Sequence, residues 1–335
     1  MKNLEQILPI AIIIPVFNTS QHLKQCLDSI LSQTYCNFHI YAIDDGSTDN
    51  SLDILIKYHQ KDPRIKVFHQ PNSGVGPARN RALSIIDFKK YSFISFIDSD
   101  DVIHPEFLEK LLLTSLKENC DISICGYNLL IDNSIQKPPN THFTRAHALI
   151  PEEYIELTFS TMRWRDINGS GGMVWKALYK SSLLENEFFT SLPIVEDEAF
   201  CVQITKKIKK AYYIPLPLYY YRSRAGSLVK ESKFYEKAIG GRILCCRLAF
   251  NYPVRIKLLA HAALAKAIIE YNYNSLKFVN SNEISEFYLT IKIAYENGYL
   301  SYRDWEKFLN IYNKTIKLKL KLFKYYLTRR LIPRK

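Results

Sequence analysis

Four apolar runs, separated by segments whose apolar residues recur with helical spacing, dominate the first hundred positions. The runs read IAIIIPVF (10–17), FHIYAID (38–44), IKVFHQ (65–70) and YSFISFI (91–97). Their β-branched and aromatic residues are typical of strands that are covered on both faces. Between them, apolar residues three and four positions apart predict amphipathic helices. This order predicts an α/β protein with an open, mainly parallel sheet flanked by helices.

Polar residues predict where these helices begin. Ser20 is placed to cap the first helix, a second is expected over 47–60, and Pro77 fits the first turn of a third. The preceding Gly74 and Gly76 permit close approach of a backbone, so the start of the third helix resembles an anion-binding site. A chance G-x-G sequence is the alternative.

The pattern divides the chain into three regions. Residues 1–110 alternate strands and helices, residues 111–226 mix short strands with polar loops, and residues 227–335 form a mostly helical C-terminal region. A chain of 335 residues is long enough for two domains.

Acidic residues follow two of the expected strands. Asp44 and Asp45 follow the second strand, and Asp98, Asp100 and Asp101 follow the fourth. Ligands of such sheets lie beyond the carboxyl ends of the strands, so topology brings both groups to one edge. Carboxylates in this spacing suit Mn²⁺ or Mg²⁺, which complete their ligand shell with substrate phosphates. The alternative is a solvated turn whose acids cap a helix.

The net charge of +12 is concentrated near the C-terminus, where residues 299–335 contain eleven basic and two acidic residues. On a helix, residues 305–335 present apolar side chains on one face and lysines on the other, which predicts peripheral membrane contact. Docking on the protein is an alternative, and the alternation over 316–322 fits a strand equally well. No nucleic-acid-binding motif accompanies this charge, so nucleic acid is not an expected partner.

The cysteines and the lengths of the apolar runs bear on the compartment. The seven cysteines form no C-x-x-C pair, which favours a reducing compartment over a disulfide framework or a zinc site. No apolar run approaches the roughly 20 residues of a membrane-spanning helix. We therefore expect a cytoplasmic protein, peripheral on the inner face of the cytoplasmic membrane.

Several motifs occur in a specific order over the first 110 residues: IIIPVFN (12–18), DSILSQTY (28–35), DDGSTDNS (44–51), N-x-G-x-x-x-A-R-N (72–80) and ISFIDSDD (94–101). Together they resemble the nucleotide-sugar-binding domain of glycosyltransferase family 2, which has the GT-A fold. Weaker similarity to the acceptor half of bacterial surface-polysaccharide transferases continues through 171–184, 195–200 and 218–229.

The resemblance implies roles for matching positions on the donor side. Pro15 and Phe17 would border the base and ribose of the nucleotide, and Asp45 would accept a hydrogen bond from the uracil N3–H. Arg79 would help to hold the diphosphate, and Asp98 would bond to the ribose. The alternatives are a core position for Phe17 and a turn-capping role for Asp45.

The metal and the catalytic base follow from the same resemblance. Asp100 would ligate Mn²⁺ or Mg²⁺, and Asp101 would support the metal or the donor sugar. An inverting transferase needs a carboxylate that takes the proton of the acceptor hydroxyl. Asp197 of VEDEAF fits that role, with Glu196 as the second choice. The alternative is the acid-rich first turn of a helix, which helix electrostatics favours in any case.

Aromatic residues of the 111–226 region are candidates for stacking on sugar faces. They are Trp164, Trp175 and Tyr179. Core packing is expected for at least two of them.

The implied function is transfer of a single sugar, with inversion, from a nucleotide sugar to a glycan. A UDP-sugar is the expected donor, and a lipid-linked or growing capsule, lipopolysaccharide or exopolysaccharide is the expected acceptor. Processive synthases carry Q-x-x-R-W after the base, whereas here Arg163-Trp164 follow Ser160 and precede VEDEAF. Single addition is therefore favoured over polymerisation. The alternatives are a sugar nucleotidyltransferase and a non-catalytic, membrane-associated scaffold.

Overall fold

The computed structural model describes most of the N-terminal two thirds of the chain and separate parts of the remainder. The described residues are 8–132, 134–137, 145–160, 174–192, 194–223, 234–249, 252–253, 257–258, 260–262, 264–265, 284–298 and 301–313. They form two compact units, Met1–Lys230 and Glu231–Lys335, which are described separately below.

The first unit is built on one sheet of ten strands with helices packed on it. The strands are β1 (Ile10–Val16), β2 (Phe38–Asp44), β3 (Ile65–His69), β4 (Phe93–Phe96), β5 (Val102–Ile103), β6 (Ile122–Ile131), β7 (Ser134–Gln136), β8 (His147–Leu149), β9 (Ala177–Lys180) and β10 (Ala211–Arg222). The helices are α1 (Ser20–Leu31), α2 (Ser51–Lys61), α3 (Val75–Ile85), α4 (Phe107–Lys117), α5 (Pro151–Ser160), α6 (Ser181–Leu184) and α7 (Glu196–Ile204).

The sheet is mainly parallel and runs in the order β3-β2-β1-β4-β9-β6-β10-β5. β1 pairs in parallel with β2 and β4, and β2 pairs in parallel with β3. β9 lies antiparallel between β4 and β6, and β10 returns parallel to β6. The expected α/β fold with a mainly parallel sheet flanked by helices is therefore confirmed.

The apolar runs form the core because they are covered on both faces. Every residue of β1 is buried. One face packs against Leu23 and Leu27 of α1 in a common apolar cluster, and α3 packs on β1 and β2. Helices on both faces explain why the run lacks the alternation of a half-exposed strand.

The helix starts differ from the sequence prediction by a few residues. α2 begins at Ser51 and not at 47, because residues 47–50 form a loop that is held by Asn18. The side-chain oxygen of Asn18 accepts from the backbone N–H of Thr48 at 2.8 Å and of Asp49 at 3.3 Å. Pro77 does lie in the first turn of α3, which begins at Val75.

The length of β10 was not apparent in the sequence. It spans twelve residues, and its pairing with β6 shifts register around Pro217. Proline cannot donate a ladder hydrogen bond, so a proline within a strand marks an irregularity of this kind. Beyond it, β10 brings Tyr219 and Arg222 to the edge of the sheet where Asp98 and Asp101 lie.

The second unit contains helices α8 (Phe234–Ala249) and α9 (Ile284–Glu296), and residues 302–313 are also helical. In this last helix Trp305 stacks on Tyr295 of α9 with ring centroids 5.2 Å apart, and Phe308 is fully buried. In the described part of the 305–335 segment, residues 305–313, the apolar side chains of Trp305 and Phe308 are therefore buried against the protein. The lysines from 314 onward and the strand alternative over 316–322 lie outside the described residues. No described helix is long and apolar enough to span a membrane.

Candidate active site

The acidic residues after β4 form a loop, residues 98–101, here called the acidic loop. Asp98 has a quarter of its side chain exposed and accepts a 2.8 Å hydrogen bond from Arg79. Asp100 is also partly exposed. Ser99 is buried and accepts from the hydroxyl of Thr19 at 3.1 Å. The acidic loop therefore offers carboxylates to solvent beyond β4, as the strand pattern predicts.

Asp101 differs from the other two acids because both its oxygens accept hydrogen bonds from β10. The hydroxyl of Tyr219 donates to Oδ2, and the backbone N–H of Arg222 donates to Oδ1, each over 2.7 Å. Asp101 is almost completely buried. Burial raises the pKa of its carboxyl well above the usual range, and the charges of Asp100 and Asp98 raise it further. These contacts fit support of the acidic loop better than direct contact with a ligand.

β10 is linked to the acidic loop by further hydrogen bonds. The hydroxyl of Tyr219 also accepts from the backbone N–H of Asp98 at 3.2 Å. The Nε of Arg222 donates to the carbonyl oxygen of Asp100 at 2.6 Å, and its Nη2 reaches Gln25 of α1. β10 thus bonds to the acidic loop at Asp98, Asp100 and Asp101.

At the end of β2, Asp45 organises the loop before α3. Its Oδ1 accepts from Gln70 at 2.8 Å and from the backbone N–H of Ser73 at 3.0 Å, and its Oδ2 accepts from the N–H of Gly74 at 2.8 Å. The preceding Asp44 is fully buried and bonds to His69 over 2.7 Å. Asp45 therefore caps this turn in the present geometry, which was one of the two roles considered for it.

The start of α3 does not have the geometry of an open anion site. The carboxylate of Asp45 already occupies the amides of Ser73 and Gly74. Gly74 has φ 99°, a conformation that glycine adopts readily. At Gly76 a Cβ atom would lie 2.5 Å from the carbonyl oxygen of Thr190, so the missing side chain makes room for protein backbone. The close approach expected at these glycines exists, but its partner is the protein.

Arg79 is the centre of a buried ion-pair network. Its Nη2 bonds to Asp98 and its Nη1 bonds to Oε1 of Glu196, both over 2.8 Å, and only 4% of its side chain is exposed. Its guanidinium also lies over the ring of Phe189, 5.2 Å from the centroid. Burial alone lowers the pKa of the guanidinium, but the charges of Asp98 and Glu196 outweigh that effect and raise it. The network joins the acidic loop to the first turn of α7.

The two candidates for the base lie side by side at the start of α7 in different surroundings. Glu196 is buried against Arg79, whereas Asp197 is partly exposed. One oxygen of Asp197 accepts from the backbone N–H of Glu198 at 2.8 Å. Burial raises the pKa of the Asp197 carboxyl well above the usual range, the charges of Glu196 and Glu198 add to this, and Arg79 opposes it. The alternative of an acid-rich first turn is also correct as a description of the local structure.

Backbone geometry marks the same turn. Val195, immediately before α7, has φ 70° and ψ 12°. A β-branched residue in this left-handed region is a genuine outlier, which costs of order 1–3 kcal/mol and persists only where surrounding contacts enforce it. The first turn of α7 is therefore held in place by its contacts.

At the end of β1, Pro15 and Phe17 lie in contrasting environments. Pro15 is buried within the strand, and Phe17 has 45% of its surface exposed. The alternative of a core position for Phe17 is therefore wrong. An exposed aromatic ring beside the edge where both acidic groups lie is a suitable platform for a flat ligand.

The carboxylates of the acidic loop fit a divalent cation whose coordination shell is completed by oxygen atoms of a bound ligand. The described residues contain no cluster of three or more His, Cys, Asp or Glu side chains arranged to hold a metal ion. Mg²⁺ commonly takes one or two carboxylates and completes its shell with substrate phosphates. Asp100 matches that donor set, because it is partly exposed at the strand end, whereas Asp98 bonds to Arg79 and both oxygens of Asp101 bind protein donors.

Two of the three aromatic candidates for sugar stacking are core residues. Trp175 is buried and stacks on Tyr221, with ring centroids 5.4 Å apart. Tyr179 is buried against Phe96. The expectation that at least two of the three serve core packing is confirmed. Trp164 lies outside the described residues, and so does the Arg163-Trp164 pair on which the argument against polymerisation rests.

Sequence reasoning did not identify Tyr219 and Arg222 as part of the site. Arg222 bonds to Asp101 through its own backbone N–H and to the backbone oxygen of Asp100, and residue type does not reveal contacts of this kind. The three successive tyrosines at 219–221 were visible in the sequence. Which of them faces the acidic loop depends on the register of β10.

A family model described as glycosyl transferase family 2 matches residues 11–188. EpsH of Bacillus subtilis, a putative glycosyltransferase, is 32% identical over 69% of this chain and 66% of its own length. GlyA of Streptococcus pneumoniae, a glycosyltransferase, is 30% identical over 65% of this chain and 31% of its own length. The chain thus spans less than two thirds of the length of these relatives.

Solved structures show the same fold at lower identity. Residues 1–349 of Staphylococcus aureus TarS, in complex with UDP-GlcNAc, superpose with a TM-score of 0.60 at 21% identity, over 91% of this chain and 79% of that one. The mannosyltransferase PcManGT of Pyrobaculum calidifontis, in complex with GDP-Man and Mn²⁺, gives a TM-score of 0.54 at 14% identity, over 92% of this chain and 86% of that one. The likeness supports a GT-A-like architecture. Because the family model covers more than half of the chain, the chain belongs to glycosyl transferase family 2.

Proposed function

We propose that this chain transfers a single sugar, with inversion, from a UDP-sugar to a lipid-linked or growing bacterial surface glycan. The observation that carries the proposal is the ion-pair chain from Asp98 through Arg79 to Glu196. It connects the acidic loop, where a donor would bind, to the turn that bears Asp197. In the proposed enzyme, this chain of ion pairs would hold the nucleotide site and the base in a fixed relative position.

In the proposed reaction, Asp197 takes the proton of the acceptor hydroxyl while the hydroxyl oxygen bonds to the anomeric carbon. The bond from that carbon to the diphosphate breaks, and the diphosphate leaves with the electron pair. A general base works best when its pKa lies near the working pH. The raised pKa of Asp197 fits that requirement, and its partial exposure admits an acceptor. Glu196, bonded to Arg79, has the poorer position for this step.

The donor would bind along the strand ends from Phe17 to the acidic loop. Pro15 and Phe17 would border the base and ribose, and Asp98 would bond to the ribose. Asp45 shapes the adjoining loop, and a uracil N3–H would have to share its carboxylate with the amides it now caps. The buried contacts of Arg79 support a role in holding Asp98 and Glu196. A diphosphate would bind to the N–H groups of Arg79 that these two contacts do not use.

Asp100 would hold Mn²⁺ or Mg²⁺ together with the donor phosphates, and Asp101 would support the loop. Such a cation, when bound, supplies positive charge against the leaving diphosphate. The UDP-GlcNAc bound to TarS supports a UDP-sugar for this chain. The Mn²⁺ of PcManGT supports a metal in this fold. Membrane contact through 305–335 remains a prediction.

The experiment is a thermal unfolding series against UDP, GDP, CDP and dTDP, each with and without Mn²⁺. A ligand that binds only the folded state raises the unfolding midpoint with occupancy. We expect an increase with UDP that requires Mn²⁺. UDP release from UDP-GlcNAc and from UDP-glucose then measures turnover with water as acceptor. Absence of a shift with every nucleotide would reject the proposed donor site.

A further inference from the structure

Helix α3 carries the last part of the motif N-x-G-x-x-x-A-R-N, and three of its residues contact a distant segment. That segment, here called the base segment, comprises residues 189–197, of which 193 lies outside the described residues. It leads directly into Asp197. The contacts at Gly76, Arg79 and Asn80 join positions that are more than a hundred residues apart in sequence.

At Gly76 the base segment lies against the backbone of α3. A Cβ atom at this position would lie 2.5 Å from the carbonyl oxygen of Thr190 and 3.4 Å from Cβ of Phe189. Any side chain would therefore displace backbone, and backbone cannot rotate aside as the end of a side chain can. The glycine sets how closely the base segment approaches the helix.

Asn80 fixes the register of the same contact. Its side-chain nitrogen donates to the carbonyl oxygen of Phe189 at 2.8 Å, and its side-chain oxygen accepts from the N–H of Phe189 at 2.6 Å. The amide group thus pairs with both polar groups of one residue, as a neighbouring strand would. Such a reciprocal pair defines position along the segment as well as distance from it.

Arg79 completes the contact at the other end of the base segment. It bonds to Glu196, and its guanidinium lies over the ring of Phe189. The ring of Phe189 stacks in turn on Phe200 of α7, with ring centroids 3.9 Å apart. One face of α3 thus contacts the base segment at Phe189 and Thr190 and again at Glu196.

We propose that Asn80 and Gly76 are positioning residues that dock the base segment on α3 and so set the place of the Asp197 carboxylate relative to the donor. The inference rests on the proposed function. A base must lie within hydrogen-bond reach of the proton it takes, and a displacement of about 1 Å can cost about a hundredfold in rate. The motif therefore acts through protein contacts with the base segment.

The test compares Asn80→Ala with the control Arg81→Ala, which changes the next, exposed residue of the same helix. We expect kcat for UDP release to fall 10- to 100-fold in Asn80→Ala. The KM for the donor and the UDP-induced thermal shift should stay within about twofold of the wild type, because the hydrogen bonds of the Asn80 side chain among the described residues go to the backbone of Phe189 and not to the acidic loop. Arg81→Ala should match the wild type in all three measurements.

A second readout needs no turnover. Hydrogen exchange followed by mass spectrometry should show faster exchange over 189–197 in Asn80→Ala and unchanged exchange over 94–101. Should Asn80→Ala fail to fold, Asn80→Asp keeps the acceptor for the N–H of Phe189 and serves the same comparison. Gly76→Ala should also lower kcat, because the added Cβ displaces Thr190.

The outcomes separate this inference from the proposed function. A wild-type protein that neither binds UDP nor releases it from either donor rejects both. An active wild type together with an Asn80 variant of equal kcat, or of unchanged exchange over 189–197, rejects the inference alone. A variant with a lowered melting temperature but normal kcat per folded molecule shows a merely structural role and also rejects it.

Discussion

Arg79 donates from Nη1 to Oε1 of Glu196 over 2.8 Å, and this bond ties α3 to the first turn of α7. Its other terminal nitrogen holds Asp98. Removal of one partner of a buried ion pair leaves an uncompensated charge, which costs about 3–5 kcal/mol. We therefore expect Arg79→Met to lower the free energy of unfolding by about that amount in urea titrations.

Two further variants sharpen this expectation. Arg79→Lys keeps the charge but cannot present two parallel donors to two carboxylates, so it should recover only part of the loss. Arg81→Met changes an exposed residue of the same helix and should stay within about 0.5 kcal/mol of the wild type. Equal stability of Arg79→Met and wild type would show that the network contributes nothing to the fold.

Asp197 and Glu196 are expected to differ in their effect on catalysis. Asp197→Asn removes the proton acceptor, so kcat should fall by roughly 10²- to 10⁴-fold while UDP binding persists. Glu196→Gln keeps a hydrogen-bond acceptor for Arg79 and should retain far more activity. Steady-state kinetics with the donor found in the nucleotide series provides the comparison. The reverse order of activities would move the base to Glu196.

The raised pKa of Asp197 also predicts how stability depends on pH. A carboxyl whose pKa is raised in the folded state binds its proton more tightly there than in the unfolded chain. Its contribution to the free energy of unfolding is fully present below the ordinary aspartate pKa of about 3.9. That contribution is lost as the pH rises through the higher pKa of the folded state. Asp197→Asn, which does not titrate, should therefore be more stable than the wild type at pH 7–8.

The size of that gain is the diagnostic quantity. In urea unfolding between pH 4.5 and pH 8.5, the difference in the free energy of unfolding between Asp197→Asn and the wild type should grow with pH. A difference that is constant over this range would mean that Asp197 titrates normally. If Asp197 acts as the base, kcat of the wild type should fall over the same interval as pH is lowered.

The strand ends could be predicted from sequence, whereas the contacts between distant segments could not. The apolar runs that end at Asp44 and Asp98 specify both the parallel sheet and the edge where the acids meet, because a strand buried on both faces needs an uninterrupted apolar sequence. The pairing of Arg79 with Glu196 depends on where the chain brings residues 196–197 in the fold, and no local sequence pattern predicts that position.

The motif around α3 shows the same limit in a single helix. Gly76 and Arg79 were expected to face an anion, since glycine followed by a helix with arginine is typical of phosphate sites. In the structure the carboxylate of Asp45 occupies the amides before the helix, and Arg79 faces Glu196. Residue types indicated the chemistry of charge and close approach but not the identity of the partner.

Phe17 provides a test of nucleotide binding that is separate from stability. Its ring is 45% exposed, so Phe17→Ala removes little buried surface and should change the unfolding midpoint only slightly. If the ring borders the base, UDP affinity should fall by about 10-fold, since stacking of a base on an aromatic ring is worth about 1–3 kcal/mol. Ile56→Ala, at a residue that is 41% exposed on α2, is the matched control. Equal UDP affinity of the two variants in calorimetric titrations would remove Phe17 from the site.

Neighbouring tyrosines on β10 give the final prediction. Tyr219 is fully buried, and its hydroxyl donates to Asp101 and accepts from the N–H of Asp98. Tyr220, the next residue, is partly exposed, and its ring lies near His104. Tyr219→Phe deletes only the hydroxyl, which leaves buried polar groups of the acidic loop without that partner and costs about 1–3 kcal/mol.

Without this hydroxyl, the carboxylates of the acidic loop should be less well positioned to bind Mn²⁺ and UDP. We expect the Mn²⁺ concentration for half-maximal stabilisation by UDP to rise several-fold in Tyr219→Phe and to stay unchanged in Tyr220→Phe. A structural role alone would lower the melting temperature of Tyr219→Phe and leave that Mn²⁺ concentration as in the wild type. The comparison therefore decides whether β10, which lies far from the first hundred residues in sequence, shapes the site that those residues form.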